Sequence, residues 1–152
     1  MSESADERLR EASRWFRYAL DDLAAARVLA ADPTVPPRQV CWLAQQAAEK
    51  ALKAALCFLQ TEFGKTHNLD ALRNLLPKDW TVRDRYPDLA ELTAWAIEAR
   101  YPGDWPEATA DDARRALETA KGVLNAVRGD LARRGLPVEC ECCHHSEEEP
   151  PP

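Results

Sequence analysis

The sequence predicts an all-α protein, an up-and-down bundle of four main helices plus one short helix. Three observations carry that expectation. Apolar residues recur every three or four positions over long stretches. Proline and glycine fall between those stretches, and only 5 Gly occur in 152 residues. No segment alternates apolar and polar residues at period two, so there is no strand signal.

The first helix opens at Ser4 and Glu7, which have capping-box spacing. It carries Leu9, Ala12, Phe16, Ala19, Leu23 and Ala26 on one face and stops at Asp32-Pro33. After Pro36-Pro37 comes the central helix, Gln39 to Gln60, which has no Gly or Pro and is rich in strong helix formers. Val40, Leu43, Ala44, Ala47, Ala51, Ala54, Ala55 and Phe58 form its apolar face, mostly alanine, so a neighbouring helix can approach closely. Trp42, Gln46, Glu49, Lys50 and Lys53 fall together on the other side. The two long helices read as an antiparallel hairpin.

Gly64 breaks the pattern, and Thr66 or Asn68 can cap a short helix through Leu69, Leu72 and Leu75 to Pro77. Residues 78–87 mix Asp, Thr and Arg without a period and read as loop. The fourth helix in the chain is expected from Pro87, with Asp88 and Glu91 near its positive end and Leu89, Leu92, Ala96 and Ala99 inward. It stops at Arg100-Tyr101-Pro102-Gly103. Thr109 and Asp112 cap the last long helix, whose stripe is Ala113, Leu117, Ala120, Leu124, Val127 and Leu131. Gly135 and Pro137 end it in the usual order. Residues 1–136 thus form one domain, and residues 137–152 are expected to be a disordered acidic Cys/His/Pro tail.

The net charge of −6 is concentrated in that tail. Residues 135–152 carry five glutamates and no Lys or Arg, leaving 21 acids against 20 bases in the rest. A nearly neutral body is not a general polyanion binder, although it leaves room for a local basic patch. No stretch approaches the roughly 20 apolar residues of a membrane span, and the polar, acidic N-terminus does not read as a secretory signal. Cys41 and Cys57 lie inside an amphipathic helix, where a disulfide framework is not expected, so a reducing cytoplasm is the default.

Four segments together resemble the HEPN domain family, named for higher eukaryotes and prokaryotes nucleotide-binding. They are Ala19-Leu20-Asp21-Asp22-Leu23, the run Ala44 to Ala54 (AQQAAEKALKA), Lys65-Thr66-His67-Asn68-Leu69, and Ala99-Arg100-Tyr101-Pro102. Their order and spacing match over about residues 6–134. The resemblance implies a compact helical bundle, usually a homodimer, found beside small nucleotidyltransferase proteins or inside toxin–antitoxin pairs. Many members are metal-independent ribonucleases with Arg, four to six residues, then His. Arg100 is followed by no histidine until His144, and no Arg lies four to six residues before His67. The chain therefore resembles the branch lacking that motif, for which nucleotide or partner binding is implied.

The candidate site residues are Gln46, Lys50, Lys53, Lys65, His67, Arg100 and Tyr101. Lys50 and Lys53, one turn apart, can grip a phosphate while Gln46 hydrogen-bonds a base or ribose; the alternative is a solvated face with internal Glu–Lys pairing. Lys65 and His67 precede a helix start, which offers backbone N–H groups to an anion; the alternative is plain capping with His67 packed in the bundle. Arg100 can take a phosphate and Tyr101 stack on a base; the alternative is a guanidinium satisfying the last carbonyls of its own helix. Arg85-Tyr86-Pro87 repeats the tripeptide, so it also arises as a boundary signal. Trp15 and Trp95 read as core, Trp42 as an interface residue, and Trp80 and Trp105 are unassigned.

The tail packs Cys140, Cys142, Cys143, His144 and His145 together, but lacks the two spaced ligand pairs of a structural zinc site. No metal and no cofactor is expected. Three functions compete: a dimeric module binding a nucleotide, an RNA or a nucleotidyltransferase partner protein; an atypical ribonuclease toxin using Arg100 and His67; and a helical interaction bundle with no small ligand.

Overall fold

A computed structural model describes residues 3–138. Within them lie six helices: α1 Glu3–Ala30, α2 Pro37–Phe58, α3 Leu69–Asn74, α4 Thr81–Arg85, α5 Ala90–Glu98 and α6 Ala110–Arg133. No strand occurs among the described residues, so the fold is all-α as its periodicity requires. None of these helices is long and apolar enough to cross a membrane.

α1 and α2 form the antiparallel hairpin, and their side-chain pairings run in opposite senses. Arg8 stacks on Phe58, Lys53 lies over Trp15, and Lys50 meets Asp22. α2 is the centre of the molecule, in contact with α1, α3, α5 and α6. Its alanines let those neighbours approach, and Ala44, Ala47, Ala48, Ala51, Ala54 and Ala55 are all fully buried. Leu52, Leu56 and Gln45 are buried as well, so α2 has no broad solvated face. That alanine face is covered within one chain. α2 ends at Phe58 rather than Gln60, and beyond it Gln60 takes the left-handed conformation (φ 55°) while Thr61 N–H closes on Leu56 O at 2.9 Å.

The segment expected as loop contains a short helix that local sequence does not announce. α4 has no cap from its own N-cap residue, Trp80. Instead the carboxylate of Asp130, fully buried on α6, accepts from Thr81 N–H at 3.1 Å and Val82 N–H at 3.4 Å. Trp80, unassigned from sequence, is one of the largest fully buried side chains, with the Arg134 guanidinium 4.3 Å above its ring. α5 begins at Ala90 rather than Pro87, because Asp88 Oδ1 accepts from Ala90 N–H at 3.0 Å and Asp70 Oδ1 from Leu89 N–H at 2.9 Å. The Thr109–Asp112 capping box forms as its spacing predicts. Gly122 gives room to Tyr86, whose hydroxyl lies where a Cβ would stand.

After α6, Gly135 adopts φ 93° and Leu136 N–H returns to Leu131 O at 2.9 Å. Leu136 is buried and Val138 packs against the core. The tail expected to be disordered begins at residue 137; Pro137 and Val138 are described, while residues 139–152, with the Cys140–His145 ligand cluster, lie outside the described residues.

Burial pushes the Cys41 thiol up to about 12, with Asp112 adding to it, and the Cys57 thiol up to about 11, with a contribution from Glu11. Both remain thiols at neutral pH. We expect Cys41 and Cys57 to stay unmodified by an aromatic disulfide reagent at pH 8, read by peptide mass spectrometry, and to react once denatured. In the unfolded chain both ionise near pH 8.5. From roughly pH 9 to 11 the unfolded state therefore holds fewer protons, and stability falls as pH rises. A flat denaturation midpoint across that window would refute this.

Candidate functional site

Four of the seven candidate residues, Gln46, Lys50, Lys53 and His67, lie along or against one stripe of α2, which faces α1 and the chain returning from Phe58 to Leu69. The stripe is an internally paired network. Lys50 Nζ meets Asp22 Oδ2 at 2.5 Å, bridging α2 to α1. Lys53 lies 3.9 Å from Glu49 and between the rings of Trp15 and Phe63, at 5.7 and 5.5 Å from their centroids. Its side chain is only 12% exposed. Trp15 and Phe63 themselves meet edge to face at 6.2 Å, which ties the returning chain to α1.

Glu49 is the hub, with its side chain 5% exposed. Besides Lys53, it holds His67 Nδ1 at 2.6 Å from Oε1. A carboxylate on Nδ1 fixes the ring, 56% exposed, with Nε2 directed away from Glu49. The reversal after Phe58 thus brings His67 back beside α2, as the spacing suggests. Gln45, missed by the sequence reading in favour of Gln46, is fully buried and donates Nε2–H to the His67 carbonyl at 3.2 Å. Gln46 in turn donates to Gln45 Oε1 at 2.7 Å. Two adjacent glutamines give no periodic signal as to which points inward.

Most backbone donors at the α3 start are already taken. Asn68 N–H bonds Thr66 Oγ1, Leu69 N–H bonds Thr93 Oγ1 and Ala71 N–H bonds Asn68 Oδ1, each at 3.1 Å. These three backbone groups, expected to cradle an anion, are taken by protein acceptors. Lys65 is exposed and has no ion pair among the described residues.

Arg100 and Tyr101 sit elsewhere, past the end of α5. The Arg100 guanidinium lies 5.9 Å from the Trp42 centroid and 5.2 Å from that of Tyr101. Trp42, expected as an exposed interface residue, is half-buried beneath it, and its Nε1 is buried without an acceptor. Trp42 and Glu49 are seven residues apart on α2, about 10 Å along the axis. Arg100 and His67 therefore meet α2 at different turns. Arg100, Tyr101 and Arg38 line an open groove of about 630 Å³, with Trp105, prolines on both walls, and Glu98 and Glu107 as its acids. Trp105 is held by Nε1–H donating to the Glu98 carbonyl at 3.0 Å. Arg38 is the residue here that sequence reasoning missed, since a lone arginine after two prolines carries no pattern.

The HEPN domain model matches residues 12–130. The chain belongs to the HEPN family. Solved structures agree with the fold of this HEPN domain. It is similar to TT1696 from Thermus thermophilus, with a TM-score of 0.68 and 28% identity over 79% of this chain and 98% of that one. It is also similar to ST0689, described as an archaeal HEPN homologue, with a TM-score of 0.61 and 28% identity over 79% of this chain and 97% of that one. Comparison with curated proteins finds no match.

Proposed function

We propose that this HEPN domain is a non-enzymatic binding module that takes a nucleotide, an RNA end or a nucleotide-bearing partner. It acts with a nucleotidyltransferase protein in a toxin–antitoxin-like pair and works as a homodimer. The observation that carries the reading is Arg100: exposed, between two aromatic rings at the mouth of a groove, and without a carboxylate partner among the described residues. Lys50, Lys53 and His67 are by contrast held by Asp22 and Glu49. Among the candidate residues, Arg100, Tyr101 and Lys65 are left to meet a ligand, whereas Gln46, Lys50, Lys53 and His67 are engaged within the α2 network. Ile97, 60% exposed, and Tyr101, 53% exposed, are apolar surface that a second copy would cover.

A guanidinium flanked by aromatic faces suits a phosphate joined to a stacked base. One charge-assisted contact of this kind contributes about 1.5–3 kcal/mol. Calorimetric titration with ATP, GTP and a short RNA should therefore show binding that falls at least about tenfold in Arg100→Glu and weakens as salt rises. The same RNA should remain intact during incubation, since Arg100 and His67 belong to different segments and lack the Arg-then-His spacing of the family's ribonucleases. No heat at millimolar ligand, or equal binding by Arg100→Glu, would sink the binding site. Cleavage lost in His67→Ala would instead make the protein a nuclease.

A further inference from the structure

A second groove, about 540 Å³, runs between α1 and the chain leaving α6. Its floor is Leu9, Phe16 and Leu20, and its rim is Arg10, Arg14 and Arg17, one turn apart along α1. All three arginines are exposed and make no ion pair among the described residues; Arg17 only overlies the ring of Tyr18. Asp6 and Asp21 continue the same line of α1 beyond either end but do not line the groove. Pro137 and Val138 form the opposite wall and bring no charge. Three unpaired guanidinium groups on a body of nearly balanced charge call for an anionic partner.

We propose that the glutamate-rich segment 139–149 of this chain docks back onto the α1 arginine stripe, in the groove where Val138 already lies. The segment carries Glu139, Glu141, Glu147, Glu148 and Glu149 with no Lys or Arg, so its charge complements the rim. Its starting point is fixed, because Val138 packs against the core and lines the groove. Its reach is ample. Arg10 to Arg17 spans about 10 Å of helix, while eleven residues extend to at most roughly 36 Å. Exposed ion pairs are individually weak, but a tethered segment competes at high effective concentration against any free polyanion.

Disulfide trapping in the full chain tests the contact. In a background of Cys140→Ser, Cys142→Ser and Cys143→Ser, the substitutions Ser13→Cys in the groove and Ser146→Cys in the segment introduce two thiols. Cys41 and Cys57 compete poorly because burial keeps both protonated. Mild oxidation at low protein concentration should join the introduced thiols within one chain, read by mass spectrometry. The rate should fall at least about fivefold in roughly 0.5 M salt, and equally when Arg10, Arg14 and Arg17 are changed to Glu. The Gln version of those three changes guards against misfolding and should give an intermediate rate. Trapping that ignores salt and both sets of substitutions would mean the tether alone brings the thiols together, and would overturn the proposal. Cross-linked dimers that grow with protein concentration would overturn it too, by assigning the groove to a second copy's segment.

Discussion

Lys53→Glu is expected to destabilise the fold by about 3–5 kcal/mol, the scale of breaking a buried ion pair. Lys53 is 12% exposed and its one carboxylate partner, Glu49, is 5% exposed. The substitution would set two carboxylates against each other beside the Trp15 and Phe63 rings, and would remove the cation both rings face. For a chain of this size the melting temperature should drop on the order of 10 °C. Lys53→Met keeps the aliphatic stem and leaves Glu49 to His67 alone, at a smaller cost of about 1–2 kcal/mol. Thermal denaturation followed by circular dichroism ranks parent, Met and Glu variants in that order. A Glu variant melting with the parent would show that the stripe is solvated after all. The same geometry makes Lys53→Glu a poor probe of ligand binding, and Arg100→Glu the cleaner one.

Asp130→Ala should cost roughly 3 kcal/mol, because its carboxylate satisfies several donors at once. It caps Thr81 and Val82, meets Arg133 Nη2 at 2.5 Å and lies 3.8 Å from Arg134. Without it, the Thr81 and Val82 N–H groups lose a buried acceptor, and the Arg133 and Arg134 guanidiniums lose a partner. The loss should be local before it is global. Hydrogen exchange at the Thr81 and Val82 amides should rise well above the general increase across α2. Asp130→Asn, which keeps one acceptor oxygen, should recover about half of the stability. If the two amides stay as protected as the α2 core, α4 is held by Trp80 packing rather than by the cap.

The same contrast between local and distant causes decides what the sequence reveals. Every helix announced by its own periodicity is present: the hairpin of α1 and α2, the short α3 capped by Asn68, α5, and α6 with its Thr109–Asp112 box. Their stripes name the buried residues because a helix face repeats every 3.6 residues whatever it packs against. The four motif segments likewise identify the HEPN fold, because they are fixed patterns of residue type. α4 escaped because its cap comes from Asp130, 49 residues further along the chain. Trp42 was misjudged for a related reason. Its helical position points away from the alanine face, but α2 is enclosed on nearly all sides, so pointing away did not mean pointing to water.

Composition and periodicity by themselves determined an all-α chain with α2 at its centre, and the absence of an Arg-then-His spacing. Only the tertiary structure decided which of the marked charges are paired. Asp22 lies 28 residues from Lys50, and Glu49 lies 18 residues from His67, so no local pattern could couple them. Spacing fixes the face on which a charge stands, through the helix repeat. Whether that charge is satisfied depends on what another segment brings to it, and that is settled by packing.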